Sequence, residues 1–528
     1  MKRDIKEKAI RELLAKSIKT QADLMRRKRE IAKKHKIGML KNSDILKNAS
    51  AEPLVKILRK RKVRTLSGIA PVAVLTKPFS CPAKCAYCPT MDNVPKSYLP
   101  NEPAVMRAIR CEYNPYKQVR MRLKALEANG HNPTKIEIIV IGGTWSALPQ
   151  DYKYWYIANC FAAANNFQTQ NSKLKTQKLS PKLKIEELKR RLLIEQKKNE
   201  SARYKIIGLT LETRPDYINE NELLEMRELG CTRVELGVQA IDDKILEKNT
   251  RGHGVKEIAN ATKLLKDYGF KVTYHIMPAL PGSTPKRDLE MFKQLFTDER
   301  FQPDQIKFYP TVVIESSKLY EWWKEGKYKP YSDKILENLI IECKREVPKH
   351  VRIIRLVRDI PSESIVAGNK ITNLRQVMQA KGVKCNCIRC REVKDRQLQK
   401  ENYGLKIKKY KASGGKEYFI EATDEKGKIL YGFCRLRLPT VETQNFASLQ
   451  NTALIRELHV YGELVPVGGK KIVQHAGLGT RLMKEAEKIA HENGFKKIAV
   501  ISGVGARGYY RKLGYKLKGT YMVKNSLR

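Results

Sequence analysis

Between Cys81 and Cys88 the chain reads CPAKCAYC, three cysteines at the spacing C-x3-C-x2-C. A loop of that length turns three thiolates toward one point, where they can hold three irons of a [4Fe-4S] cluster and leave the fourth iron open to a substrate or cofactor. A structural zinc site asks for four protein ligands, and no histidine lies close in sequence to complete one. A second triplet, Cys385, Cys387 and Cys390 in KGVKCNCIRCREVK, is spaced C-x-C-x2-C. Thiolates this close together ligate metal in a reducing compartment, with zinc the default structural ion. No fourth ligand is identifiable, and reduced cysteines packed at a domain junction are the alternative. Further on, Gln474, His475, Ala476, Gly477, Leu478, Gly479 and Thr480 lead into a helical segment, Arg481 to Asn493. A glycine-containing loop at a helix N-terminus offers backbone N–H groups and the positive end of the helix dipole to a pyrophosphate.

These residues need elements to hold them. From Val72 onward, short apolar runs alternate with helical stretches, the pattern of parallel β/α units. The expected strands are Val72 to Leu75, Ile136 to Ile141, Ile206 to Leu211, Arg233 to Val238, Lys271 to Met277 and Gln305 to Tyr309. Six such units make a partial (β/α)6 barrel, whose chemistry collects at the C-terminal ends of the strands. Cys81, Cys85 and Cys88 follow the first strand, Gly142, Gly143 and Thr144 the second, Glu212 to Asp216 the third, Gln239 the fourth and Pro278 to Gly282 the fifth. A glycine pair at a strand end lets backbone approach a ligand closely.

Residues 1 to about 65 read as basic helices, with Ile5, Ile10, Leu13, Leu14 and Ile18 at helical spacing among the runs Arg26 to Arg29, Lys33 to Lys36 and Arg59 to Lys62. The chain carries 104 Lys plus Arg against 56 Asp plus Glu, a net charge of +48 over 528 residues. That excess points to a long polyanion, nucleic acid first, gripped by its phosphates. Gln168 to Glu200 reads as a polar connection followed by a charged helix. From about Tyr403, short strands lead through Arg456 to Val467 into the glycine loop, then through Lys497 to Ser502 into GVGARGYYRKLGY. The clustered use of 11 cysteines fits cofactor chemistry in a reducing compartment, not a disulfide framework. No run approaches the length of a membrane span, so a cytoplasmic protein is expected.

The C-x3-C-x2-C loop after an apolar strand resembles the radical S-adenosylmethionine (SAM) superfamily, where the open iron chelates the amino acid end of SAM; Gly142, Gly143 and Thr144 suit its amino group. Q-x-x-G-x-G after a strand, with Gly505 to Tyr515 beyond it, resembles the pyrophosphate loop and following segment of the GNAT acetyltransferases, which bind acetyl-CoA. With HIMPALPG (His275 to Gly282), ETRPD, RGH (Arg251 to His253) and RELHVYG also present, the chain is identified as similar to the catalytic subunits of Elongator, in their archaeal form.

The resemblance implies an α/β fold: a basic helical N-terminal region for tRNA binding (1–65), a partial parallel (β/α)6 radical SAM barrel (66–360), a linker with a zinc site (361–400) and a GNAT-type α/β acetyltransferase domain (401–528). It implies synthesis of carboxymethyluridine at the wobble uridine, position 34, of the tRNA anticodon stem-loop. Reductive cleavage of SAM gives an adenosyl radical that takes hydrogen from the acetyl methyl; the carbon radical adds to C5 of uridine, and thioester hydrolysis leaves a carboxymethyl group. Cys81, Cys85 and Cys88 are then the cluster ligands, and Cys385, Cys387 and Cys390 hold a structural zinc. Lys135, Glu457, Leu458, His459, Val460, Gln474, Gly477, Leu478, Gly479, Thr480 and Tyr510 form the acetyl-CoA site. Tyr510 lies at the thioester sulfur, where a hydroxyl can protonate a departing thiolate. Ala476, where relatives often carry a longer polar side chain, removes one contact to CoA phosphate. Two rival readings are intact transfer of acetyl to protein lysine, and a tRNA-binding scaffold. A homodimer is compatible with the sequence, and no partner subunit is identifiable from it.

Overall fold

The computed structural model describes residues 2–49, 52–59, 68–167, 183–393, 403–439, 451–462 and 477–525. Two seven-stranded sheets organise the chain. The first is wholly parallel and runs in sequence order: β1 Ala70–Leu75, β2 Lys135–Ile141, β3 Lys205–Thr213, β4 Arg233–Gln239, β5 Lys271–Ile276, β6 Gln305–Phe308 and β7 Arg352–Arg355. All six expected strands are present. β7 extends the sheet and is absent from the sequence reading because RIIR is only four residues long with a charge at each end.

Parallel sheets usually bury both faces and read as continuous apolar runs. Here β2 alternates: Ile136, Ile138 and Val140 are buried against helices, while Lys135, Glu137, Ile139 and Ile141 are half-buried on the other face. The sheet therefore curves into a half-barrel with apolar packing outside and a polar, partly open inner face.

The second sheet, in the order β13-β14-β12-β11-β10-β9-β8, comprises β8 Gly404–Ala412, β9 Gly415–Thr423, β10 Leu430–Leu438, β11 Thr452–Val460, β12 Lys497–Val500, β13 Lys516–Lys518 and β14 Tyr521–Asn525. Its pairs are antiparallel except β11 with β12. The helix Leu478–Glu492 packs Leu478, Leu482, Met483, Ala486 and Ile489 into this sheet's core.

The N-terminal helices Lys2–Leu14, Gln21–Lys34, Asn42–Leu46 and Glu52–Leu58 enclose a small core of their own that includes Ile10, Leu13, Leu24, Ile31 and Ile45. Thr20 caps the second helix in a reciprocal box with Asp23. Arg59 Nε donates to Gly130 O at 3.0 Å, tying this layer to the barrel. Arg26 to Arg29 lies among the described residues, whereas 60–67 and the polar connection 168–182 fall outside them. No described helix is long and apolar enough to cross a membrane.

The second sheet docks on the N-terminal ends of the barrel strands. Gly503 and Gly505 permit the closest approach: a Cβ on Gly503 would lie 2.1 Å from Ile207 O, and one on Gly505 2.6 Å from Lys205 Cβ. Around Asp304 the interface buries charge on both sides. Arg456 Nη1 lies 2.9 Å from Asp304 and 3.1 Å from Glu417, Arg435 Nε 2.9 Å from Glu457, and Arg437 3.1 Å from Glu417 and 3.0 Å from Asp267. Lys266 Nζ stands 3.7 Å from Asp304 and 3.8 Å from Glu417, and burial brings its pKa down to about 8. Buried charges survive only when paired and hydrogen-bonded. This cluster of mutually paired groups belongs to neither domain alone.

Candidate active site

The loop holding Cys81, Cys85 and Cys88 leaves the C-terminal end of β1 and is pinned from distant parts of the chain. Ala86 N donates to Asn249 O at 3.2 Å, Thr250 Oγ1 to Lys84 O at 2.7 Å, and Leu319 N to Ala86 O at 2.8 Å. Arg251 Nη1 donates to Cys85 Sγ at 3.3 Å, and its other terminal nitrogen to Gly237 O. Gly237 has to be glycine for this, since a Cβ there would lie 2.5 Å from Arg251 Nη2. A hydrogen bond from Cys88 and, against burial, the charges of Arg251 and Arg214 hold the Cys85 thiol down to about 4. This lowering favours the thiolate, the state a metal requires.

Burial and the neighbouring arginines bring His253 down to about 4, so it adds no charge there. Tyr87 Oη, Arg214 Nη1, Gln239 Oε1, Arg251 Nε and His253 Nδ1 are buried at this end of the barrel with no hydrogen-bond partner among the described residues. Native interiors rarely leave such atoms unpaired. A thiolate site ringed by cations and orphaned polar atoms fits an iron–sulfur cluster with a polar ligand.

Gly142 (φ +133°) and Gly143 (φ +102°) end β2. A Cβ on Gly142 would lie 2.1 Å from Thr76 Oγ1, whereas nothing approaches within 4 Å of that position on Gly143. The first glycine lets β1 and β2 close up, and the second presents bare backbone to the site. Thr144 begins the short turn Trp145–Ala147.

Below this loop, sequence reasoning missed a constellation on the inner face. His275 Nε2 lies 2.9 Å from Glu235 Oε2; Lys307 Nζ bonds Glu235 and stands 3.2 Å from Glu212, which also accepts from Tyr98 Oη at 2.9 Å. Although burial opposes it, Lys307, His275 and Arg233 hold the Glu235 carboxyl well below its ordinary value. One layer further down, Arg233 meets Glu137 at 3.1 Å, Thr210 at 2.8 Å and Gln305 at 2.7 Å. The signal was present in RVELGVQ, KVTYHI and QIKF, where polar residues recur every second position in strands that should be apolar on both faces.

At the bottom of the barrel stand Lys135 and Lys271. Lys135 is half-buried, its pKa lowered by burial, and its backbone pairs with Lys205, against which the turn Val504–Ala506 packs. That turn leads into the helix Arg507–Arg511, which carries Tyr510. Tyr510 is buried, its ring 5.3 Å from Tyr509 and 6.1 Å from Tyr515, and desolvation pushes its hydroxyl above the ordinary range.

β11 pairs with β12 through Ile455 and bulges against β10 between Arg435 and Leu436. Beyond that point Glu457, Leu458, His459 and Val460 are half-buried, and the ladder to β12 has ended. Past Ile455, backbone groups of β11 on the β12 side make no ladder contact with β12. The Glu457 carboxylate is engaged by Arg435 at 2.9 Å and Lys271 at 3.5 Å. Gly477 (φ +97°) begins the helix that carries Leu478, Gly479 and Thr480, and a Cβ on Gly479 would lie 2.6 Å from Tyr509 Oη. Gln474 and Ala476 lie outside the described residues.

The two ends are joined. β4 spans seven residues, about 20 Å at 3.3 Å per residue. Along that length the polar inner face runs from Arg251 through His275 and Arg233 to Lys271 and Glu457.

Cys385, Cys387 and Cys390 bring their sulfurs within 4.8 Å of one another, and no further His, Cys, Asp or Glu joins them among the described residues. Hydrogen bonds from Cys385 and Cys390 hold the Cys387 thiol well below its ordinary value. The loop is fixed to β7 by Ile388 N to Val351 O at 2.9 Å and Arg389 Nη1 to Ile354 O at 2.8 Å. All eleven cysteines are free.

Residues 77–295 match the Radical SAM superfamily, 303–382 the Radical_SAM C-terminal domain and 469–528 the Acetyltransferase (GNAT) domain. The tRNA uridine(34) acetyltransferase of Dehalococcoides mccartyi (strain CBDB1) is 44% identical over 479 residues, 88% of this chain and 99% of that protein. Elongator complex protein 3 of Schizosaccharomyces pombe is 40% identical over 555 residues, 98% of each chain. Among solved structures, the archaeal Methanocaldococcus infernus Elp3 with an N-terminal deletion superposes with a TM-score of 0.72 at 41% identity, over 87% of this chain and 100% of that one.

Proposed function

Because the chain belongs to the family of tRNA uridine(34) acetyltransferases and Elongator complex protein 3, we propose that it places a carboxymethyl group on C5 of the wobble uridine of tRNA, drawing the two carbons from acetyl-CoA. The observation that carries this reading is the single polar inner face, with a thiolate loop at one end and Glu457 of β11 at the other.

In this reading Cys81, Cys85 and Cys88 ligate a [4Fe-4S] cluster, and the backbone of Gly142 to Thr144 receives the amino acid end of SAM. When bound, these groups supply a carbon-centred radical by reductive cleavage. The chain's own residues do the rest by positioning. Gly477 to Thr480 hold the pyrophosphate of acetyl-CoA at the helix start. Backbone groups of Glu457 to Val460 extend its pantetheine arm, and Lys135 orients it from the barrel side. Tyr510 keeps a proton on its hydroxyl for the departing thiolate. The basic N-terminal helices grip phosphates around the anticodon stem-loop. The reducing compartment that such cysteines need is the cytoplasm, and the unit of action is one chain or a homodimer.

The direct test incubates cluster-loaded protein anaerobically with SAM, a reductant, tRNA and acetyl-CoA labelled in its methyl group, then examines nucleosides by mass spectrometry. Label is expected in 5-carboxymethyluridine. Label on lysines of an added protein with unmodified tRNA would turn the reading to acetyl transfer.

Replacing Lys135 with alanine is expected to raise KM for acetyl-CoA by about 10-fold with little change in kcat, the signature of lost ground-state binding; initial rates against acetyl-CoA concentration measure it. An unchanged KM would remove Lys135 from the site.

The triplet Cys385, Cys387 and Cys390 is assigned a structural zinc, completed by a ligand from outside the three. Bound zinc is expected to fall from about one equivalent to near none in Cys387→Ser, with a lower melting temperature, because the metal's binding energy is folding energy. Metal analysis of the purified variant reads this directly.

A further inference from the structure

Outside the residues so far given roles, one pair on the inner face has the form of a catalytic dyad. His275 sits in β5 with its side chain 14% exposed, and its Nε2 faces Glu235 Oε2 at 2.9 Å. Glu235 is fully buried on β4 and is held as a carboxylate by Lys307 and Arg233. A carboxylate only accepts, so Nε2 is the donor of this pair, and in the neutral ring Nδ1 keeps its lone pair. Nδ1 makes no hydrogen bond among the described residues. The His275 ring is held edge-on by Tyr309 at 5.4 Å. Glu212, Glu235 and His275 are close enough to one another to suggest a divalent cation. The Lys307 ammonium, however, bonds both carboxylates and supplies the positive charge a metal would bring.

Carboxymethyl formation, as proposed above, contains a step with no assigned base. Once the acetyl carbon is joined to C5 of uridine, the thioester must be hydrolysed, and its carbonyl carbon is then only two bonds from the uracil ring. The carbonyl is therefore drawn toward the thiolate-loop end of the inner face, where His275 lies level with Gly237, whose carbonyl Arg251 bonds. We propose that His275, oriented by Glu235, is the general base that activates water for this hydrolysis. Water oxygen bonds the carbonyl carbon as its proton passes to Nδ1. Collapse of the adduct breaks the carbon–sulfur bond, and the Nδ1 proton goes to the CoA sulfur. The second water proton leaves with ionisation of the new carboxyl. The products are a carboxylate, CoA thiol and one proton, with no change in oxidation state.

This inference rests on the proposed reaction, and its test separates the two. His275→Gln keeps a hydrogen-bond donor toward Glu235 but has no base, and His275→Ala removes both. Wild type and variants receive labelled acetyl-CoA, SAM, reductant and tRNA, and each mixture is divided, one half treated with hydroxylamine before digestion. The variants are expected to form 5'-deoxyadenosine within about threefold of wild type, while carboxymethyluridine falls about 100-fold, a usual contribution of a general base. The missing label should appear on tRNA as uridine still joined to CoA, released as a hydroxamate by hydroxylamine, and added imidazole should restore carboxymethyluridine in His275→Ala. Carboxymethyluridine formed by either variant in the wild-type ratio to 5'-deoxyadenosine would overturn the assignment. So would loss of 5'-deoxyadenosine in both, which marks a structural role. If wild type itself places no label on tRNA, the proposed reaction fails before the dyad is tested.

Discussion

Cys85→Ser abolishes carboxymethyluridine formation and, in anaerobic reconstitution, lowers bound iron and sulfide to background; this is the largest effect expected of any single substitution. The reason lies in how the loop prepares its ligand. Cys85 is buried, its thiol is held down to about 4, and Arg251, 166 residues away in sequence, donates to it at 3.3 Å. Serine at this position has no accessible anionic state, and it leaves Arg251 buried beside a neutral hydroxyl. Three protein ligands are the minimum for a cluster with one open iron, so losing one is not graded. Iron content, sulfide content and the electron paramagnetic resonance of the reduced protein read the outcome, and 5'-deoxyadenosine should vanish with them. A variant that kept a full cluster signal would mean that Cys81 and Cys88 suffice with a ligand from elsewhere. The ligand assignment would then be wrong.

Asp304→Ala is expected to destabilise the union of the two sheets by about 3 to 5 kcal/mol, the cost of removing one partner from a buried charge network. Asp304 accepts from Arg456 at 2.9 Å and from Val272 N at 2.9 Å, and Arg435 and Lys266 stand 3.5 and 3.7 Å away. Although burial opposes it, Arg456, Lys266 and Arg435 hold its carboxyl far below the ordinary range. Without it, three cations share the remaining carboxylates in a region shielded from water. Denaturant unfolding followed by calorimetry should show the single transition of the parent split in two, as the second sheet separates from the barrel. Pairing Asp304→Leu with Arg456→Met should recover part of the loss, since apolar packing can replace a buried pair at little net cost. A single variant within about 1 kcal/mol of the parent, or a double variant worse than the single, would show that the network does not hold the interface.

What the chain order determines by itself is local. The thiolate loops at Cys81 to Cys88 and Cys385 to Cys390, the six apolar strands and the helix that follows Gly477 were all legible. Spacing over fewer than ten residues sets whether side chains can converge, and strand or helix period shows in alternation. The basic excess pointed to a polyanion for the same reason, since charge adds without regard to fold. Residue partners far apart in sequence were not legible. RGH was visible as a motif, but nothing in it says that Arg251 reaches Cys85 past the bare backbone of Gly237. Glu235, His275 and Lys307 come from three strands: the parallel register sets His275 opposite Lys307, and Glu235, opposite Thr273, reaches both from the same face. Arg435, Arg437 and Arg456 read as ordinary basic residues and are among the most buried side chains in the protein. Docking of the second sheet on the barrel's N-terminal ends was equally hidden, because an interface is written as complementary surfaces on two folded parts, and no local spacing records which surfaces will meet.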